Sequence, residues 1–487
     1  MLLKRFYDAK LAQASYLVGC AATGEALVID ANRDVDQYIE GAEAEGLRIT
    51  HVTETHIHAD FVSGSRELAA RTGAQLYLSD EGDESWKYAF ATEDGAVLLQ
   101  NEDSFRVGNI KVEALHTPGH TPEHLSFMIT DTAAAVLPMG VLTGDFIFVG
   151  DVGRPDLLER AAKIEGTMEA GARTLFRALQ RFTRLPDHLQ IWPGHGAGSA
   201  CGKSLGAVPS STLGYERLTN WGLMVSDEDE FVRQVLEGQP EPPRYFANMK
   251  RINKEGPAML HGLRRPERLG ETRLASLLDS GALVVDTRHA SEFAAGHVPG
   301  TQNIPFDRSF TTWAGWLVPY DREFYLIVNE QCATCLDEAM RDLTLIGLDR
   351  IAGSFSSDAV ERWPAITGRP LATVAQVGVA DVAALMRSNS AVVIDVRGQS
   401  EWEGGHIPGA VLIPLGYLDD RRGELRNEVP VVVHCQSGAR SAMAASLLQR
   451  RGVKSVMNLR GGFAAWRAEG YPMEPGGSGT RTGARAA

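Results

Sequence analysis

The C-terminal half of the chain repeats itself at a fixed offset, and this constrains its fold more than any other feature. Val285–Asp286–Thr287–Arg288, Glu292–Phe293, Gly296–His297–Val298–Pro299–Gly300 and Ile304–Pro305 form a first copy. Ile394–Asp395–Val396–Arg397, Glu401–Trp402, Gly405–His406–Ile407–Pro408–Gly409 and Ile413–Pro414 form a second. Asp286 to Asp395, His297 to His406 and Pro305 to Pro414 each span 109 positions. A period of that length is a duplicated domain and not a solenoid unit. Each copy alternates short apolar strands with helical stretches, the pattern of an α/β domain with a largely parallel sheet. The copies occupy about 268–370 and 371–475, behind a Pro-, Gly- and charge-rich stretch taken as a linker at 246–267. The tail 476–487 (GSGTRTGARAA after Gly476) has no core-forming residues and is expected to be disordered.

Residues 1–245 have another organisation, in which strand ends carry His or Asp. The apolar run 49–53 leads into Thr55–His56–Ile57–His58–Ala59–Asp60. Alternate residues of an extended chain point the same way, so two imidazoles and a carboxylate can converge at the mouth of a sheet. A meander is expected over 97–129, interrupted by His116–Thr–Pro–Gly–His120–Thr–Pro–Glu–His124. Short strands at Ala134–Val136 and Val141–Leu142 follow, the second ending at Thr143–Gly144–Asp145. A helix is expected over about 165–181, then a strand at Gln190–Trp192 ending in Pro193–Gly194–His195. Asp34 reads as the cap of a helix to about Glu45, and Ser63 or Ser65 as the cap of one ending at Thr72.

The motifs H-x-H-x-D at 56–60, T-P-G-H at 117–120 and T-G-D at 143–145, in that order, resemble those of the metallo-β-lactamase superfamily. The resemblance implies an αββα sandwich with its metal site at one edge of the two sheets. Dinuclear members, glyoxalase II thioesterases among them, extend the first motif to H-x-H-x-D-H. Here Phe61 stands at the last position, and a phenyl ring cannot coordinate a metal. Two histidines and one carboxylate with open positions opposite suit non-haem Fe(II). The branch that looks like this is the persulfide (sulfur) dioxygenases. That resemblance implies one Fe(II) per chain held by His56, His120 and Asp145, with His58, Asp60 and His195 orienting groups beside it. It also makes Arg154 a candidate clamp for a substrate carboxylate; an ion pair to Asp151 or Asp156 is the other reading. His116 and His124 are expected to pack or hydrogen-bond nearby. Cys201 reads as a buried inert thiol, with sulfur carriage as the alternative, and Cys20 as core.

In the second copy, Val431–Val432–Val433–His434–Cys435–Gln436–Ser437–Gly438–Ala439–Arg440–Ser441 reads as buried strand, tight loop and helix start. A thiol there faces backbone N–H groups and the positive end of a helix, which stabilise an anionic persulfide. With D-x-R and G-H-x-P-G upstream and Leu459–Arg–Gly–Gly–Phe–Ala–Ala–Trp466 downstream, this resembles a rhodanese domain. The resemblance implies that Cys435 carries sulfane sulfur, that the loop Gln436, Ser437, Gly438, Ala439 cradles it, and that Arg440 fixes the loop or an anionic donor. In the first copy Leu326–Asn329 match Val431–His434, so Glu330 stands at the position of Cys435. A carboxylate cannot accept a sulfane sulfur, and this copy is read as catalytically dead. Its Cys332–Ala–Thr–Cys335 could form a disulfide or relay sulfur.

The expected fold class is therefore an α/β and α+β multidomain chain: a metallo-β-lactamase sandwich followed by two rhodanese-like α/β domains. The expected function is a persulfide dioxygenase coupled to a sulfurtransferase, acting on a thiol persulfide such as glutathione persulfide, with O₂, thiosulfate or sulfite as the other small partners. Rival readings are a glyoxalase II-like metal-dependent thioesterase and a non-enzymatic sulfur-relay protein with a structural metal. A formal charge of −14 argues against nucleic acid or anionic membrane as partner. No run of 18 apolar residues and no signal-peptide pattern is found, and five cysteines are too few for a disulfide framework. A cytoplasmic homo-oligomer is expected.

Overall fold

The computed structural model describes residues 1–157, 166–199, 201–203, 205–239, 241–425 and 429–475. The chain divides into two compact units: Met1–Arg264 with Arg341–Leu348, and Arg265–Met340 with the residues from Asp349 onward.

The first unit holds two six-stranded mixed sheets. One runs β1 (Leu2–Asp8), β2 (Gln13–Cys20), β3 (Glu25–Ile29), β4 (Arg48–Thr53), β5 (Gln75–Ser79), β6 (Val97–Leu99), each strand beside the next. The other contains β7 (Ser104–Val107), β8 (Ile110–His116), β9 (Leu125–Asp131), β10 (Gly140–Gly144), β11 (Gln190–Pro193) and β12 (Ser211–Thr212), again in sequence order. The pleat explains how they stack. Tyr16, Val18, Leu27 and Ile29 point inward onto Val112, Phe127 and Leu142 of the facing sheet. The alternate residues Leu17, Ala26 and Val28 point outward, into a layer with Tyr38 and Leu68 from the helices Asp36–Glu43 and Ser65–Thr72. On the opposite outer face Val141 and Ile191 pack with Leu175 and Leu179 of the helix Thr167–Phe182. The result is the expected αββα sandwich. β8 and β10 are both antiparallel to β9, and β10 is parallel to β11, so the loops that follow β8, β10 and β11 leave the sheet at one edge.

Several local expectations are corrected. β6 pairs in parallel with β5 and so leaves the meander, which is β7 to β10. Ala134–Val136 is a turn and not a strand: Val136 is 94% exposed and has no layer to pack on. The helices at 36 and 65 begin without a side-chain cap, at Val35 and Gly64. The expected start of the long helix at 165 lies outside the described residues, as does the tail 476–487. The stretch 246–267 is not merely a linker, since Phe246–Glu255 is a helix of the first unit with Phe246, Met249 and Asn253 buried. Arg341–Leu348, assigned from sequence to the first repeat, also groups with the first unit. Arg341 is held there by Asp8 and Asp34, and the Val62 N–H donates to the Leu345 carbonyl at 2.7 Å.

The second unit contains the duplication as two all-parallel sheets. β13 (Leu283–Asp286), β14 (Gln302–Asn303), β15 (Phe324–Val328) and β16 (Ile351–Ser356) are ordered β14-β13-β15-β16. β17 (Ala375–Val377), β18 (Val392–Asp395), β19 (Val411–Leu412), β20 (Val431–His434) and β21 (Val456–Leu459) are ordered β17-β21-β20-β18-β19. Apart from β17 the strand orders correspond. The repeated motifs are structural staples. Arg288 grips Asp286 and the Gly296 carbonyl at 3.0 Å, and Arg397 grips Asp395 and the Gly405 carbonyl at 2.9 Å. His297 stacks on Phe293 at 3.8 Å and His406 on Trp402 at 3.6 Å. Among the described residues no helix is long and apolar enough to cross a membrane.

Candidate metal centre and sulfur-transfer loop

Three separate strand-end loops of the first unit bring His56, His120 and Asp145 together, with one donor atom of each within 4.8 Å of the others. All three are at most 2% exposed. Each is aimed by a neighbour. Thr55 Oγ1 lies 2.9 Å from His56 Nδ1, and the Arg154 carbonyl accepts from His120 Nδ1 at 3.0 Å. The Asp145 N–H donates to His124 Nε2 at 3.1 Å, and His124 Nδ1 bonds Thr117 Oγ1. The turn that presents Asp145 requires Gly144: its φ is +48°, and a Cβ there would lie 2.6 Å from Thr55 Oγ1. What remains free is His56 Nε2 and both Asp145 oxygens, buried without a hydrogen-bond partner. Buried polar atoms left open in this way are costly unless a cation satisfies them, so the donor set fits a metal. Burial, and then the neighbouring imidazoles, hold His56 well below the usual histidine range, and burial lowers His120. Both are therefore neutral, as ligation requires.

His58 is placed differently. Its Nε2 donates to Asp30 Oδ1 at 3.1 Å. Burial pulls it down, but Asp30, Glu54 and Asp60 outweigh burial and raise it to about 9. Its Nε2 is thus committed to a carboxylate, while its Nδ1 is buried without a hydrogen-bond partner. Phe61 is fully buried with its ring 4.3 Å from that of His58. Asp60 and His195 lie 3.2 Å apart, and His195 Nε2 is 3.4 Å from Asp145 Oδ1. Cys201 joins Asp60 and His195 in a second buried set of possible ligands. Burial opposes charge on His195, yet Asp145, Cys201 and Asp60 raise it well above its usual range. Burial pushes the Cys201 thiol up to about 12. His116 bonds the Pro122 carbonyl, consistent with a supporting place.

Arg154 is a correction. It has no exposed surface, and its Nε and Nη2 both donate to Asp156 at 2.7 Å. The ion pair to Asp156, the other reading of this residue, is therefore formed, and it commits these two nitrogens within the loop.

Sequence reasoning missed the residues that hold the ligand loop. Asp30, in a left-handed conformation (φ +56°), accepts from the Thr55 N–H at 2.7 Å as well as from His58. Asn253 donates to the His58 and Phe61 carbonyls at 2.8 and 2.7 Å and accepts from the Ser63 N–H at 2.8 Å. No spacing flags Asn253, because it lies 190 residues from Ser63 in a stretch whose composition suggests a linker. For Cys201, its position six residues after His195 was a signal. Asn253→Ala should lower the stability of the first unit by about 2–4 kcal/mol, since three buried bonds go and their partners stay buried; urea unfolding measures it.

Glu123 supports the same loop by accepting from the Ile57 N–H at 2.8 Å. Burial pushes its carboxyl up to about 7. The folded chain then holds this proton more tightly than the unfolded one, whose glutamate titrates near about 4.3. Its contribution to stability therefore falls as pH rises between those values. Glu123→Gln should flatten that decline, raising the thermal midpoint more at about pH 8 than at about pH 5.

In the second unit Cys435 is 1% exposed at the end of β20. Its Sγ accepts from the Gly438 N–H at 3.1 Å, and Ser441 Oγ is 3.6 Å away. Gln436, Ser437, Gly438 (φ +110°) and Ala439 turn the chain into the helix Ala439–Arg450. The LRGGFAAW stretch closes the loop from behind, the Phe463 N–H donating to the Cys435 carbonyl at 2.8 Å and the Ala464 N–H to the Gln436 carbonyl at 2.9 Å. Arg440 is clamped by both oxygens of Glu401 at 2.6 and 2.7 Å.

The metallo-beta-lactamase superfamily model matches residues 9–195, and the rhodanese-like domain model matches 378–469. A solved metallo-beta-lactamase structure from Staphylococcus aureus is 47% identical, covers 73% of this chain and 99% of its own, and aligns with a TM-score of 0.67. A hydroxyacylglutathione hydrolase of Rhodopseudomonas palustris is 31% identical over 180 residues, 37% of this chain and 61% of its own. An uncharacterised protein of Bacillus subtilis is 47% identical over 76 residues, 16% of this chain and 60% of its own. The chain thus spans only about 60% of the length of each of these two curated relatives. The 47% identity across nearly all of the staphylococcal structure settles the family: the chain belongs to the metallo-beta-lactamase superfamily and carries a rhodanese-like domain behind its sandwich.

Proposed function

We propose that the chain is a non-haem Fe(II) persulfide dioxygenase coupled to a sulfurtransferase. The observation that carries this reading is the ligand set itself. His56, His120 and Asp145 converge with free donor atoms, while His58 is committed to Asp30 and Phe61 fills the position of a further ligand. Bound Fe(II) would supply the redox chemistry that joins O₂ to the terminal sulfur of a thiol persulfide, and water would then cleave the S–S bond to give sulfite and thiol. Asp145 and the two neutral imidazoles would hold the cation, a donor set that suits such chemistry. Asp30, Asn253 and Glu123 keep the ligand loop rigid, and Phe61 keeps water from the back of His58. In the second unit Cys435 takes or gives a sulfane sulfur, and the Gly438 N–H stabilises the anionic sulfur left on it. Thiosulfate is the donor or the product of that step, and a glutathione-like thiol is the carrier.

A second reading is a metal-dependent thioesterase, supported by the hydroxyacylglutathione hydrolase relative and by Asp60, His195 and Cys201 as ligands for a second metal. Metal analysis separates the two. One iron per chain is the expected result; two zincs per chain with acyl-glutathione hydrolysis in the absence of O₂ would replace the dioxygenase with the thioesterase.

A further inference from the structure

We propose that Cys332 and Cys335 form a second sulfur site, a dithiol/disulfide pair that reduces low-molecular-weight persulfides to hydrogen sulfide. The two are joined as a disulfide, with Cα atoms 5.4 Å apart. Both are partly exposed, whereas Cys20, Cys201 and Cys435 are buried. The pair therefore meets solutes that the other thiols do not. Its place in the fold is the loop between β15 and the helix Cys335–Leu345. The same loop in the other copy, between β20 and the helix Ala439–Arg450, carries Cys435. The first copy has no cysteine at the position of Cys435 and instead carries a pair three residues apart. Glu330, at the position of Cys435, would repel an anionic persulfide, but its carboxylate is paired with Arg268. Asp337, in the first turn of the helix, is likewise paired with Arg265. Two of the three carboxylates that flank the disulfide are thus offset, Glu338 in the same first turn being the third.

The chemistry balances with thiols and persulfides alone. Two low-molecular-weight thiols reduce the disulfide in successive exchanges, giving the protein dithiol and one low-molecular-weight disulfide. One protein thiolate then attacks the sulfane sulfur of a persulfide RSSH. Its S–S bond breaks, RSH leaves, and the attacking cysteine holds the persulfide. The second thiolate attacks the inner sulfur of that cysteine, forming the protein disulfide and expelling hydrosulfide. The cysteines lose two electrons and the sulfane sulfur gains them. The net reaction is RSSH + RSH → RSSR + H₂S. Nothing in it needs O₂, a metal or Cys435, so it stands or falls apart from the dioxygenase reading.

The test uses the full chain carrying Cys435→Ser, without O₂, with glutathione persulfide and excess glutathione. Sulfide release is expected above the rate of the protein-free mixture, and Cys332→Ser/Cys335→Ser should return it to that rate. Cys332→Ser and Cys335→Ser singly should each remove turnover, and one of the two should retain a persulfide, seen as the mass of one added sulfur. Retention of thiosulfate sulfurtransferase by the double variant with Cys435 intact shows that the unit still folds. Two results would overturn the proposal: a disulfide that survives excess glutathione by thiol counting, which marks a structural bridge, or sulfide release unchanged in the double variant.

Discussion

Cys435→Ser is expected to lower thiosulfate:thiol sulfurtransferase turnover by at least ~10³-fold while persulfide-dependent O₂ uptake stays within about twofold of the parent. The first half follows from chemistry: a serine oxygen can occupy the cradle made by Gly438 and Ser441 but cannot accept a sulfane sulfur. The second half follows from the construction of the two sites. The candidate metal ligands come from the ends of the sandwich strands, and the residues that aim them in the structure lie in the first unit. None of the groups that hold Cys435, namely Gly438, Ser441, Phe463 and the clamp between Arg440 and Glu401, belongs to that unit. Loss of both activities in Cys435→Ser would mean that sulfur must pass through Cys435 before oxidation, and independent sites would have to be abandoned.

Asp145→Asn should have the opposite pattern. The amide keeps the shape of the carboxylate but loses its charge and one acceptor oxygen, and both oxygens are buried without a hydrogen bond, with His195 Nε2 at 3.4 Å and His120 Nε2 at 3.5 Å. Metal affinity should fall by more than about 100-fold, the upper end of what outer partners alone are worth, with O₂ uptake falling in step. Sulfurtransferase activity should not change. Asp30→Asn supplies the graded comparison. It touches no expected ligand atom, but it holds His58, the Thr55 N–H and, at 3.0 Å, the Thr55 hydroxyl that aims His56, so a loss of about 10–100-fold in metal affinity is expected. Equal losses in the two variants would place His58 among the ligands. Metal titration of the apo-protein measures both.

The duplication was legible because each copy repeats residues with a rigid geometric duty, the Asp–Arg grip and the histidine stacked on an aromatic ring. The convergence of His56, His120 and Asp145 was legible because each sits in a short motif at the end of a strand, where a local pattern maps directly onto position. The supports of the ligand loop were not. Asn253 and Leu345 reach it from distant segments, and their own neighbourhoods in sequence say nothing of a metal. Arg154 shows the converse. Its place on a glycine-containing loop beside the site suggested a substrate clamp, but Asp156 two residues away satisfies it inside the protein. Motif position indicates neighbourhood; whether a side chain is free to act depends on its partners, which only packing decides.

The most direct test of the central claim is an oxygen-electrode trace on the iron-loaded Cys435→Ser chain, in which only the first unit can oxidise sulfur. On addition of glutathione persulfide, O₂ uptake should begin at once and end with one O₂ consumed and one sulfite formed per persulfide, a stoichiometry fixed by the proposed reaction. A trace that stays flat, with acyl-glutathione hydrolysed by the same sample under argon, would contradict the dioxygenase assignment.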